Sequence, residues 1–205
     1  LAMRLVYVFQ LRQSPWFAQY EMDSLYNHQW AAALAKGETF VQGPYFRPPF
    51  YPLFLGVIYR LFGTGPWAPR IIQAALGSLN CGLLFVVGRK AFNRTVGIIA
   101  GFAGAFSWCF AYFDAELLSP VLIVFFTLLL VVGLLHARSH RGAIVWLING
   151  VILGLSAVTR PDILIFAPAI AAWIAVLYRP MWRRAAMYAL VLFVGCMVPI
   201  LPVTI

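Results

Sequence analysis

LLSPVLIVFFTLLLVVGLL, from Leu117 to Leu135, carries no charged side chain over a length that suits a membrane-spanning helix of ~20 residues. Five more apolar runs flank it: Trp67 to Val87, Val96 to Phe113, Ala143 to Val158, Ile163 to Tyr178 and Ala185 to Pro202. The composition follows suit, with 63% hydrophobic residues, 10% charged residues and a mean hydropathy of +0.87. A soluble core would need far more polar surface than this to cover it, whereas a bilayer accepts apolar side chains outward and demands that backbone groups pair internally. Strand-type alternation is absent, so the pattern predicts an all-α polytopic helical bundle. The first apolar run, Leu1 to Leu11, is short for a span and reads as a truncated first helix, which brings the expected count to about seven. No signal-peptide pattern is present, and the last run stops at Ile205, so the sequence reads as one transmembrane module, residues 1–205, taken from a longer chain.

Charge gives the orientation. Arg89, Lys90 and Arg94 follow the second run, Arg138 and Arg141 the fourth, and Arg179, Arg183 and Arg184 the sixth, so eight of the 15 cations fall on alternate loops. The positive-inside rule assigns those loops to the cytoplasm. The formal charge of +9 therefore reads as topology rather than as a nucleic-acid surface. All six carboxylates, Glu21, Asp23, Glu38, Asp114, Glu116 and Asp162, fall on the opposite set of loops. Acids contribute little to topology, so their segregation points to a shared polar site on the extracytoplasmic side. An impermeant thiol reagent on intact cells should modify Gln19→Cys and spare Asn93→Cys; labelling of the second alone would reverse the orientation. The sequon Asn93-Arg94-Thr95 lies on the cytoplasmic side in this topology and should carry no glycan.

Residues 12–66 form the first extracytoplasmic loop, rich in Trp, Tyr, Phe and Pro, with two helical patterns. One follows Asp23 and stops at Gly37. The other opens at Pro48-Pro49, stops at Gly63 and is too short to span. Its apolar face of Phe50, Leu53, Phe54, Val57, Ile58 and Leu61 suits a helix lying in the membrane plane, with Tyr59 and Arg60 toward the headgroups.

Cys81, Cys109 and Cys196 sit inside separate apolar runs, and His28, His136 and His140 are scattered, so neither a disulfide framework nor a metal-ligand spacing is present. No Gly-rich phosphate loop occurs; Gly97, Gly101 and Gly104 have the spacing of close helix packing.

Candidate chemistry lies in four places. Asp23 could cap the helix it precedes or act as a base. Arg70, four residues after Pro66, must snorkel, pair or hold an anion. Asp114 and Glu116 could sit at the N-terminus of the helix that holds Pro120, stabilised by its dipole, or form an acidic site. Arg160, with Asp162 two residues on, could form a local pair or a ligand site; Arg47, beside Pro48, is a further cation.

Taken in order, the carboxylate loop, RPPFYPLFLGVIYRLFG from Arg47, APRIIQAALGSLNCGLLFVVGRKAF from Ala68, FDAELLSP from Phe113 and GLSAVTRPDILIFAP from Gly154 resemble the GT-C superfamily of membrane glycosyltransferases. The nearest groups are the dolichyl-phosphate-mannose protein mannosyltransferases, the lipid A aminoarabinose transferases and their bacterial relatives. The resemblance covers nearly the whole chain and implies a seven-span module with two juxtamembrane helices after the first span. It implies Asp23 as the catalytic carboxylate, supported by Glu21 and Tyr26, with Asp114 and Glu116 as a second acidic site. It implies Arg70, with Arg160 and Arg47, as contacts to the donor phosphate. Asp23 is followed by Ser24 where protein mannosyltransferases carry an Asp-Glu pair, and the outer domain or further spans of longer members are missing.

The implied partners are a polyprenyl-phosphate sugar donor, a glycan, lipid or protein acceptor and the membrane lipids, without nucleic acid. No cofactor is implied beyond a divalent cation whose use stays open. The implied location is a bacterial plasma membrane with the active site on its extracytoplasmic side. Two other classes remain open, a transporter or a non-catalytic assembly subunit. The runs after Arg70 carry almost no charge at mid-membrane depth and show no inverted repeat, which weakens the first.

Overall fold

The computed structural model describes residues 1–40, 45, 47–139, 142–179 and 181–204, so His140 and Arg141 of the basic loop after Leu135 lie outside the described residues. The described residues form helices and turns, with no strand among them. They divide into two compact units, Leu1–Phe125 and Phe126–Ile205.

The first unit begins with α1 (Ala2–Leu11) and a 3-10 turn at Pro15–Phe17, followed by the two helices of the outer loop, α2 (Met22–Lys36) and α3 (Phe50–Phe62). Glycine ends both loop helices, Gly37 at φ 78 and Gly63 at φ 81, a left-handed backbone that a side chain would strain. Gly56 lets α2 and α3 come together, since a Cβ there would stand 3.2 Å from Leu34 Cβ. On α3, Leu53, Val57 and Leu61 are exposed as one apolar stripe at i, i+4 and i+8, the kind of face a helix lying on a membrane leaves to lipid. Tyr59 departs from its expected place: it is 2% exposed and turned into the protein, where its hydroxyl meets His28 Nδ1 of α2 at 2.7 Å.

Next come α4 (Trp67–Ala91), α5 (Arg94–Phe106) and α6 (Trp108–Ala115), and the unit closes in the first turns of α7 (Pro120–Ala137). Asn93 caps α5, its side chain accepting the Val96 N–H at 2.9 Å. The glycine spacing on α5 does what it predicts: a Cβ on Gly97 would lie 2.7 Å from Phe85 O, and one on Gly104 would lie 2.6 Å from Leu84 Cδ1. The run from Val96 to Phe113 is not one straight helix. It bends by 53° between α5 and α6, where Ser107 takes an extended backbone (ψ 114). Neither glycine nor proline marks the break. The bent α6 packs on α1, with Trp108 edge-on to Tyr7 at 4.7 Å.

In the second unit, the remainder of α7 accompanies α8 (Ala143–Thr159), a 3-10 turn at Pro161–Ile165, α9 (Phe166–Leu177) and α10 (Trp182–Thr204). Its core gathers Trp146, Leu153, Ile174, Tyr178, Leu192 and Cys196. Helices α8 and α10 meet backbone to backbone through small residues. A Cβ on Gly150 would lie 2.2 Å from Leu192 O, and one on Gly195 would lie 2.5 Å from Leu147 O.

Each of the six apolar runs becomes helical, and outward-facing Ile98, Ile99 and Phe102 on α5 and Leu190, Phe193 and Val194 on α10 are exposed, as lipid-facing side chains must be. Among the described residues three helices, α4, α7 and α10, are long and apolar enough to cross a membrane, and the bent α5–α6 pair makes a fourth. The expected seven is not reached by length. The 17 residues of α8 rise only about 25 Å at 1.5 Å each, short of a hydrocarbon core of about 30 Å.

Candidate active site

Arg70 stands one turn into α4, since Pro66 ends the preceding loop and opens the helix. It is 1% exposed, a burial that disfavours a guanidinium unless something compensates. Compensation is partial. Nη1 donates to the Pro66 carbonyl at 3.1 Å, and Cζ lies 4.7 Å from the Phe17 ring centroid and 5.6 Å from that of Tyr20. These are cation–π distances. Buried Nε has no hydrogen-bond partner among the described residues. A fixed cation with an open N–H edge is what a phosphate oxygen would fill.

Glu116 belongs to the same neighbourhood. Gln73, one turn on from Arg70 and fully buried, donates through Nε2 to the carbonyls of Asp114 at 3.0 Å and Glu116 at 2.6 Å, and Tyr51 donates its hydroxyl to Gln73 Oε1 at 2.6 Å. This holds the end of α6 against α4. Burial pushes the Glu116 carboxyl up from its ordinary value, and the Arg70 guanidinium holds part of that rise back. Gln73 and Tyr51 were not singled out from the sequence, where a glutamine in a helical run has no distinctive spacing.

Asp114 has a different surrounding from the expected one. It lies in the last turn of α6, not at the opening of α7, so no helix N-terminus stabilises it. Its partner is Arg4 of α1, whose Nε donates to Asp114 Oδ2, with side chains 2% and 6% exposed. Arg4 also reaches Cys81 Sγ at 3.3 Å and the Gly104 carbonyl at 3.4 Å through Nη2. Gly77 makes the room: a Cβ there would lie 1.9 Å from Asp114 Oδ2. The pair lines a cleft of about 80 Å³ shared with Asn80, Cys109 and Phe113. Arg4 escaped notice in the sequence, although one arginine inside the first apolar run was signal enough to ask for a buried acid.

Asp23 lies second in α2 and does not cap it. The N-cap is Glu21, and its backbone N–H is received by Ser24 Oγ at 3.2 Å. Met22, between them, takes φ 46, a left-handed backbone that is costly for a residue with a side chain, and it is 88% exposed. The Asp23 carboxylate faces solvent at 64% and pairs with Arg47 Nη1 at 2.7 Å, and the Arg47 guanidinium lies 4.6 Å from the Tyr26 ring. Three of the expected residues, Asp23, Arg47 and Tyr26, are thus brought together. In the second unit, Arg160 Nε donates to Asp162 Oδ2 at 3.0 Å, an exposed local pair.

Among the described residues no group of three or more His, Cys, Asp or Glu side chains is placed to hold a metal ion. Residues 46–205 match the family model of the dolichyl-phosphate-mannose-protein mannosyltransferases, a match that takes in Arg47, Arg70, Asp114, Glu116 and Arg160 and leaves Asp23 outside it. No curated protein and no solved structure matches the chain.

Proposed function

The chain belongs to the dolichyl-phosphate-mannose-protein mannosyltransferase family, and from that premise we propose that it moves a sugar from a polyprenyl-phosphate donor to an acceptor hydroxyl at the extracytoplasmic face, with inversion. Membership and the apolar helices make it an integral membrane glycosyltransferase. The observation that carries the finer reading is Arg70, buried, flanked by aromatic rings and left with an open Nε. The donor's phosphate sits at headgroup level while its tail stays in lipid, and a planar guanidinium suits two of its oxygens.

The acceptor oxygen attacks the anomeric carbon from the face opposite the phosphate. Its bond to that carbon forms as the carbon–oxygen bond to phosphate breaks, and the bond's electron pair leaves with the phosphate. That leaving group needs no protonation, so one base and one cation suffice, unlike the two carboxyl groups of a glycosidase. In this reading Asp23 takes the acceptor's proton, with Arg47, Tyr26 and Glu21 around it, while Arg70 steadies the growing charge on the phosphate. Asp114 and Glu116 serve as the second acidic site. Residues 1–205 act as one module, with 12–66 as its outer loop.

Arg70→Lys keeps the charge but loses the fork, so donor KM should rise about tenfold, the equivalent of one good hydrogen bond, with kcat within a few-fold of the parent. Transfer assays on the full-length protein in nanodiscs measure this. Unchanged donor KM would remove Arg70 from the donor site.

A second reading has one observation in its favour. Glu116 feels the charge of Arg70, and burial raises its carboxyl toward the range in which a base is effective near neutrality. If Glu116 is the base, activity falls as pH drops through its raised value, above the ordinary one for glutamate, and Glu116→Gln abolishes that limb. Retention of the limb in Glu116→Gln keeps the base elsewhere.

A further inference from the structure

The Asp23–Arg47 pair borders a run of aromatic rings on the outer loop. Arg47 lies over the Tyr26 ring at 4.6 Å, Tyr26 meets Trp30 edge-on at 5.7 Å, and Tyr45 is stacked on Trp30 at 5.5 Å with the planes 30° apart. Trp30, about two turns after Asp23 on α2, is 3% exposed and also stacks with Phe40 at 6.1 Å, so it makes a fixed floor. Tyr45 rests on that floor and is 48% exposed. With one face turned to Trp30, its open surface is the other face and the hydroxyl edge. Exposure to lipid accounts for Leu53, Val57 and Leu61 on α3, but hydrocarbon would not accept the ionised neighbours of Tyr45, since the Asp23 and Arg47 side chains are 64% and 38% exposed. Tyr45 and Arg47 are two residues apart, which keeps their Cα atoms within about 7 Å. One small molecule can therefore touch the ring and both charges.

We propose that Tyr45, backed by Trp30, is the stacking surface for the acceptor, and that the acceptor presents a sugar ring there: its C–H face lies on Tyr45 while its hydroxyls reach the Asp23 carboxylate and the Arg47 guanidinium. The proposal rests on the reading of Asp23 as the base, and it narrows the acceptor to a glycan. The chemistry of the three groups selects that ligand. A pyranose has an apolar face of C–H bonds, which settles on the negative face of an aromatic ring, and a rim of hydroxyls that both donate and accept. A carboxylate takes the donated protons, and a guanidinium fork supplies donors to the oxygens. An extended peptide would instead seek backbone partners, and among the described residues there is no strand edge to offer them.

The test is saturation-transfer NMR on the full-length protein in nanodiscs, with methyl glucoside, galactoside and mannoside as probes, a threonine tripeptide amide for comparison and empty nanodiscs as the blank. In the parent protein the ring C–H protons of at least one glycoside should be saturated and those of the peptide should not. Tyr45→Ala should weaken that glycoside about five- to tenfold, the worth of one stacked contact, whereas Tyr45→Phe and Tyr45→Trp keep an aromatic face and should keep the binding. No saturation of any glycoside, or saturation of the peptide in their place, would overturn the sugar assignment. Equal losses in Tyr45→Ala and Tyr45→Phe, with lower melting temperatures in both, would overturn it as general loosening. Asp23→Asn keeps an acceptor oxygen and should still bind, so binding and transfer are read apart. If transfer falls in Asp23→Asn but the glycoside binds Tyr45→Ala as tightly as the parent, the base reading stands and Tyr45 is an interfacial ring only. If Asp23→Asn transfers at the parent rate, the base reading fails and takes the acceptor role of Tyr45 with it.

Discussion

Asp114→Asn destabilises the first unit by about 3 kcal/mol or more, the cost of leaving a buried cation without its counter-charge. The magnitude follows from asymmetry. A buried ion pair gains little over a well-packed apolar pair, because desolvating two charges offsets most of their attraction, but removing one member leaves the whole penalty on the other. Arg4 is 2% exposed, and its remaining contacts, a thiol at 3.3 Å and a carbonyl at 3.4 Å, are neutral and long. The double variant Arg4→Met with Asp114→Asn holds no buried charge at this position, so it should melt above Asp114→Asn alone. It should also keep sugar-transfer activity if the pair is a strut between α1 and α6. Thermal melts of detergent-solubilised protein and the transfer assay decide both points. A double variant that melts normally but transfers nothing would place Asp114 in the chemistry, as the family resemblance implies.

The same pair shows what the sequence could carry. Helix class and the places of the apolar runs were legible because a bilayer imposes one solution on the backbone, and the runs are long compared with any error in their ends. Gly37 and Gly63 ended the loop helices where expected, and the glycines of α5 marked a close approach, because each of these depends on local backbone geometry or helical spacing. The bend at Ser107 was not legible, since no residue type signals it; packing of α6 on α1 accompanies it. Asp114 lies at the end of α6 instead of opening α7, and there it meets Arg4 of α1.

The site divides in the same manner. Arg70 was recognisable because a cation just inside an apolar run has few explanations. Its surroundings were not, because Gln73 and Tyr51 come from two helices and act through hydrogen bonds, for which sequence spacing has no signature. The Asp23–Arg47 pair spans a stretch of outer loop without regular spacing, so both residues were named but not their contact.

Asp23→Asn should lower turnover by about 10²-fold or more while leaving the fold intact, the loss expected when a general base is removed but its shape is kept. The structure makes this variant cleaner than a capping residue would allow. Because Glu21 occupies the N-cap, the change gives up only the favourable placement of a negative charge in the first helical turn, about 0.3–1 kcal/mol, and an exposed ion pair worth about 0–1 kcal/mol. Neither is enough to unfold the protein, so a large loss of turnover at an unchanged melting temperature can be assigned to the carboxylate. Arg47 supplies the control. Arg47→Gln releases the carboxylate from its cation, and if the pair restrains Asp23 in the resting protein, that variant loses far less turnover than Asp23→Asn. Full activity in Asp23→Asn would reduce the carboxylate to a helix-terminal charge paired with Arg47, and the base would then be sought at Glu116, where the charge of Arg70 already reaches.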